Sequence, residues 1–127
     1  MKGIVITTEN EMSVKDFTRP LHESVGAVVG GWIELVNPRG LYQPYCMIVN
    51  EEGLIAQLDL NMVGSFLYQT YIHGSPILGN IVIMKHGFTE DGPDIVGLDD
   101  EDLSYLTQYI RKIYPVKETK TDDKKPE

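Results

Sequence analysis

Val25-Gly26-Ala27-Val28-Val29-Gly30-Gly31-Trp32-Ile33-Glu34-Leu35-Val36 is a helix that stops at two glycines and resumes as a strand. Leu21, Val25, Val28 and Val29 fall at i, i+4, i+7 and i+8, one apolar stripe on a helix that Thr18-Arg19-Pro20 starts, with Thr18 or Arg19 at the cap and Pro20 near the first position. Gly30 supplies the left-handed residue that follows a last helical turn, and Gly31 releases the chain into residues 32–36. Gly26 costs about 1 kcal/mol against alanine inside a helix, which points to a close backbone approach there. A helix delivered straight into a strand predicts mixed architecture.

Outward from that stretch, residues 3–8 alternate around Ile4 and Ile6, and Met12, Val14 and Phe17 return after Glu9-Asn10-Glu11, a hairpin pattern. Cys46-Met47-Ile48-Val49 is a strongly apolar strand. Asn50-Glu51-Glu52-Gly53 is expected to close a hairpin whose glycine takes positive φ, with residues 54–58 returning. Asp59 or Asn61 caps a short helix with Met62, Val63, Phe66 and Leu67 inward, and Gly74-Ser75-Pro76 ends it. Residues 77–84 form a buried strand, and residues 87–97 a loop carrying Glu90, Asp91 and Asp94. Asp99 or Asp100 caps the last helix, with Leu103, Leu106, Ile110 and Ile113 as its stripe and Pro115 at its end. The expected fold class is α+β. A small, antiparallel-rich sheet of about five strands carries about three helices, packed mainly on one face.

The chain has 127 residues, enough for one core, and a single domain is expected over residues 1–116. Residues 117–127 hold four lysines, four acids and no large apolar side chain, so they read as a disordered charged tail. That tail sums to zero, so the net charge of −8 belongs to the folded body. Such a field repels a phosphate backbone, and no basic stripe offsets it, so no nucleic-acid partner is expected. No apolar run is long enough to span a bilayer, and the N-terminus turns polar at Thr7-Thr8-Glu9, so neither a membrane nor a secretory signal is expected. Cys46 is the lone cysteine, which fits a reducing, cytoplasmic setting and a small buried hydrophobe.

Catalytic chemistry finds no constellation in this sequence. His22, His73 and His86 show no metal-ligand spacing, and Cys46 has no partner for a zinc motif. Asp99-Asp100-Glu101-Asp102 lacks the alternation and central glycine of a calcium loop and reads as a helix start. Gly30-Gly31 runs from helix to strand, the reverse of a phosphate-cradling turn. Adjacent Glu51 and Glu52 on a turn tip diverge into solvent rather than forming an acid–base pair. No catalytic residue, metal site or cofactor is therefore predicted. The aromatics speak more clearly. Trp32, Tyr42 and Tyr45, with Tyr68 and Tyr71 nearby, pair apolar bodies with polar tips, which suits an interface or shallow ligand site as well as loop anchoring. The amides of Asn50, Asn61 and Asn80 are the polar groups that such a site would use.

Four segments in this order carry a family resemblance: Val29-Gly30-Gly31-Trp32-Ile33-Glu34, Val49-Asn50-Glu51-Glu52-Gly53, residues 58–61, and Leu78-Gly79-Asn80-Ile81-Val82. Over roughly residues 20–85 the chain resembles the domain of unknown function 3846, small proteins frequent in bacteriophages, prophages and plasmids. Met62 stands where members often carry a basic residue. The resemblance implies a mobile-element setting and supplies no catalytic residues. The expected function is that of a non-enzymatic accessory protein that binds a host protein or a small signalling molecule. It is expected to act as a homodimer through an exposed strand edge near Trp32, Tyr42 and Tyr45. The alternatives are a shallow-site enzyme using Asn50, Glu51, Asn61 or Asn80, and a purely structural oligomer.

Overall fold

From the N-terminus the chain forms β1 (Lys2–Ile6), β2 (Glu11–Asp16), α1 (Leu21–Val29), β3 (Ile33–Val36), β4 (Tyr45–Asn50), α2 (Met62–Tyr68) and α3 (Thr70–His73). It continues through β5 (Ile81–Thr89), β6 (Gly92–Val96), α4 (Asp100–Ile113) and β7 (Lys117–Glu118). These elements come from a computed structural model that describes residues 1–119. The strands join in one sheet ordered β3-β4-β5-β1-β2-β7, with β6 paired to the far end of β5. The β2–β7 pairing is parallel. The β1–β2, β1–β5, β3–β4, β4–β5 and β5–β6 pairings are antiparallel.

The central strands are apolar without interruption because the sheet is covered on both faces. Successive strand residues point to opposite sides. Val5, Ile48, Val82 and Met84 meet Val25 and Val29 of α1 on one side. Ile4, Ile6, Met47, Val49, Ile81 and Ile83 meet Val63 and Leu67 of α2 and Leu106 and Ile110 of α4 on the other. The α+β class holds, while the sheet has seven strands rather than about five and four helices rather than about three. Helices α2 and α4 pack on one face, and α1 alone covers the other. A one-sided sheet would show polar residues at every second position, and β1, β4 and β5 do not.

Most local signals at the helix ends were well placed, but α1 starts later than expected: its cap position is Pro20, which offers no side-chain hydrogen bond, rather than Thr18 or Arg19. Gly30 sits at φ 91° and donates to Gly26 O at 2.8 Å. A Cβ at Gly26 would lie 3.0 Å from Gly31 O, the close approach expected there. Asn61 caps α2, accepting from Gly64 N, and Asp99 caps α4 in a reciprocal box with Asp102. Both apolar stripes, on α1 and α4, face the core.

Elsewhere the chain departs from expectation. Residues 51–57 wind through consecutive turns instead of returning as a strand, leaving Leu54 and Ile55 exposed. The Asn50 side chain accepts from Glu52 N at 2.7 Å, which bends the chain off the sheet. On α2, Val63 and Leu67 are buried as expected, whereas Met62 and Phe66 face outward. Gln69 at φ 63° splits α3 from α2. Residues 92–96, expected in a loop, form β6 because the end of β5 projects past β1 and offers a free ladder, pairing Lys85 with Val96 through Thr89 with Gly92. At the other end, Lys117 donates to Asn10 O at 2.8 Å and Thr119 to Met12 O at 3.0 Å. Glu118 pairs with Arg111. The expected disordered tail thus begins with an ordered β7; its remainder, residues 120–127, lies outside the described residues.

Candidate functional site

At the C-terminal end of α1, segments distant in sequence converge on three asparagines. This helix has no basic residue in its last turn, so its final carbonyls need partners from elsewhere. Asn50 Nδ2 donates to Val29 O at 3.1 Å and Asn80 Nδ2 to Val28 O at 3.4 Å. Asn80 Oδ1 accepts from Thr8 N at 3.2 Å. Asn61 is fully buried; its Nδ2 donates to Ile6 O at 3.0 Å and Gly79 O at 2.9 Å, while its Oδ1 accepts from Gly64 N at 2.8 Å. A Cβ at Gly31 would stand 3.1 Å from Asn50 Nδ2. The segments quoted for the resemblance are thus one interlocked junction. The three amides expected to read a ligand are engaged with backbone instead.

The tyrosines assemble differently from expectation. Tyr42 and Tyr45 each stack on Tyr105 of α4, at 6.3 and 6.1 Å between ring centroids, and Tyr105 stacks on Tyr109. Tyr109 OH donates to Gly40 O at 2.9 Å. Arg39, Tyr42, Tyr105 and Tyr109 line a cleft of about 200 Å³. Tyr105 and Tyr109 were not singled out from the sequence, although their i, i+4 spacing on α4 was the available signal. Trp32 does not join this group. It lies opposite Glu51 at one end of the β3–β4 pair. Tyr45 begins β4 at the other end, about 20 Å away by strand rise. Trp32, Tyr42 and Tyr45 therefore do not form one patch.

Beside the tyrosine row lies a charged cluster that the sequence did not announce. Tyr45 OH donates to Asp102 Oδ1 at 2.7 Å, and Lys85 Nζ donates to Asp102 Oδ2 at 2.6 Å. Burial raises the Asp102 carboxyl, but the Lys85 ammonium, the Asp99 N–H and the Tyr45 hydroxyl outweigh it and hold the group down at about 2. Burial, and then the adjacent Asp102, push the Tyr45 phenol upward. The cluster ties β4 and β5 to the first turn of α4. On the opposite face of the sheet, the Cys46 thiol is buried and pushed up to about 11 by that burial, as suits an inert core residue. Among the described residues, no three histidine, cysteine or acidic side chains converge to hold a metal. No helix there is long and apolar enough to cross a membrane.

The third surface is the outer edge of β3. Trp32 O accepts from Glu51 N at 2.8 Å, and the register pairs Ile33 with Asn50 and Leu35 with Ile48. Backbone groups alternate in an antiparallel pair, so Trp32, Glu34 and Val36 bond inward, while those of Ile33 and Leu35 point away from the sheet. No strand covers them among the described residues. Trp32 is 67% exposed and Leu35 48%. A cleft flanks the strand on each side. One, about 270 Å³, is walled by Val36, Val49, Ile77 and Leu78, with Glu34 and Glu51 among its lining. The other, about 320 Å³, is lined by Leu35, Gln43, Tyr45 and His86. Of the expected site residues, Trp32 and Tyr45 contribute here, one to each end.

No curated protein and no solved structure matches this chain. The family model described as Domain of unknown function (DUF3846) matches residues 1–113, and the chain belongs to that family.

Proposed function

We propose that this DUF3846 protein acts by binding another polypeptide along β3, as an accessory protein of a phage, prophage or other mobile element. The observation that carries the binding reading is the open β3 edge. Outward backbone groups at Ile33 and Leu35 lie beside exposed Trp32, with a cleft on either side. Exposed edges of this kind recruit a further strand unless they are covered or charged. The mobile-element setting rests on the resemblance alone. The net charge of −8 supports a partner other than nucleic acid, and the single buried Cys46 supports work in the cytoplasm.

A second copy of the chain is the competing partner. A two-fold axis through Leu35 would set Leu35 against Leu35 and Glu34 against Val36. A small-molecule role would use the cleft of Arg39, Tyr42 and Tyr105 instead. Catalysis by Asn50, Asn61 or Asn80 draws less support, since their amides are already bonded to the main chain.

Photo-crosslinking in cells tests the reading. A benzoyl-phenylalanine placed at position 35 should give discrete adducts, and one placed at position 90, on the β5–β6 turn, should not. Equal adducts from both positions, or none from either, would refute binding along β3.

A further inference from the structure

We infer that the β3 edge is built for an extended peptide that alternates basic and apolar side chains. The inference rests on the binding reading above and adds the partner's chemistry. A strand added to an edge places successive side chains on opposite faces, so its main chain supplies affinity and the flanking pockets supply selectivity. The two clefts beside β3 differ in kind. On the Glu34 side, Val36, Val49, Ile77 and Leu78 form an apolar wall with the Glu34 and Glu51 carboxylates. Neither carboxylate is engaged by a cation among the described residues. A lysine or arginine suits that cleft, its aliphatic stem along the wall and its charged head at the carboxylates. On the opposite face Leu35, which lines the second cleft, and Ile33, two positions before it, offer apolar contact to the alternate side chains.

Charge also decides between this occupant and a second copy. Each copy carries −8, so pairing two β3 edges brings like fields together and crowds four glutamates, Glu34 and Glu51 of both, near one seam. A basic peptide is drawn by the same field. Its inward amides and carbonyls would meet the unbonded groups of Ile33 and Leu35.

The test is calorimetric titration of the full chain with a capped seven-residue peptide alternating valine and arginine. Binding is expected, weakening as salt rises. Replacing the arginines with glutamates should weaken it at least about tenfold, as should the Glu34→Gln, Glu51→Gln double variant, because the charge-assisted bonds are lost. N-methylating alternate peptide amides should cost about as much by removing ladder hydrogen bonds. If the glutamate peptide binds equally well, the charge selection is wrong while the edge reading survives. If the N-methylated peptide binds equally well, strand addition fails, and the edge reading with it. If no peptide binds and light scattering gives twice 14.3 kDa, reverting to 14.3 kDa in Leu35→Lys, the occupant is a second copy and this inference falls alone. If no peptide binds and the mass stays at 14.3 kDa, the basic-peptide site is overturned.

Discussion

The asparagine junction and the β3 edge sit near each other on the same molecule and treat hydrogen-bonding groups in opposite ways. At Asn61 both amide protons and the carbonyl oxygen are matched by main-chain partners at 2.8–3.0 Å. At Ile33 and Leu35 the outward backbone groups meet no partner among the described residues. The opposite border of the sheet sharpens the contrast, because there β7 lies along β2 and covers it with Lys117 and Glu118. Buried polar groups must be satisfied within the fold, whereas an exposed strand edge keeps its capacity for something else. The junction is therefore where stability resides, and the edge is where binding is proposed.

The largest expected effect breaks the junction. Asn61→Ala leaves Ile6 O, Gly79 O and Gly64 N unpartnered in a buried place, and should lower stability by about 3 kcal/mol. Urea unfolding measures it. A midpoint equal to that of the parent would mean that water replaces the amide, and the junction would lose its claim to be the anchor.

Next in size is the tie between the sheet and α4. The Asp102 carboxyl is held at about 2, below its ordinary 3.8, so a proton binds the unfolded chain more readily than the folded one. Its contribution is therefore complete above about pH 4 and is lost as pH falls through 2. On the order of 1–2 kcal/mol should disappear over that window. In Asp102→Asn the Lys85 ammonium loses its nearest carboxylate, stability at neutral pH falls by a similar amount, and that part of the acid slope flattens. Thermal melts from pH 2 to 7 report both. An unchanged slope would show that other carboxylates govern the acid limit.

The smallest stability effect falls at the edge, where the functional effect should be greatest. Leu35→Lys replaces a half-exposed side chain on an open strand and should shift stability by less than about 0.5 kcal/mol. The same change places a charge in the cleft that Leu35 lines with Gln43 and His86, and should abolish strand addition there. A large loss of stability would mean that Leu35 is structural, and the division between anchor and edge would collapse.

Much of the fold was legible because its signals are local. The apolar stripe of α1 and its stop at Gly30, the Asn61 cap of α2, the Asp99 cap of α4 and the β1–β2 hairpin each depend on residues within a few positions of one another. Trp32 and Tyr45 were singled out together, but their separation was not readable, since strand register sets them apart by the length of β4. Asn50, Asn61 and Asn80 were chosen for amides with spare capacity. That capacity is consumed by carbonyls 18–55 positions away, which no local pattern discloses.

By itself the sequence determined the kinds of element and most of their boundaries, along with the acidity of the body and the family. Periodicity, capping and turn chemistry act over a few residues, and charge and composition need no structure. Only the tertiary structure decided which faces are covered, that β6 and β7 exist, and that residues 51–57 leave the sheet. Pairing is a property of two segments: Gly92-Pro93-Asp94 becomes a strand only because the end of β5 offers a ladder. An edge is likewise open only by the position of its strand in the sheet, and β3 is last in the order.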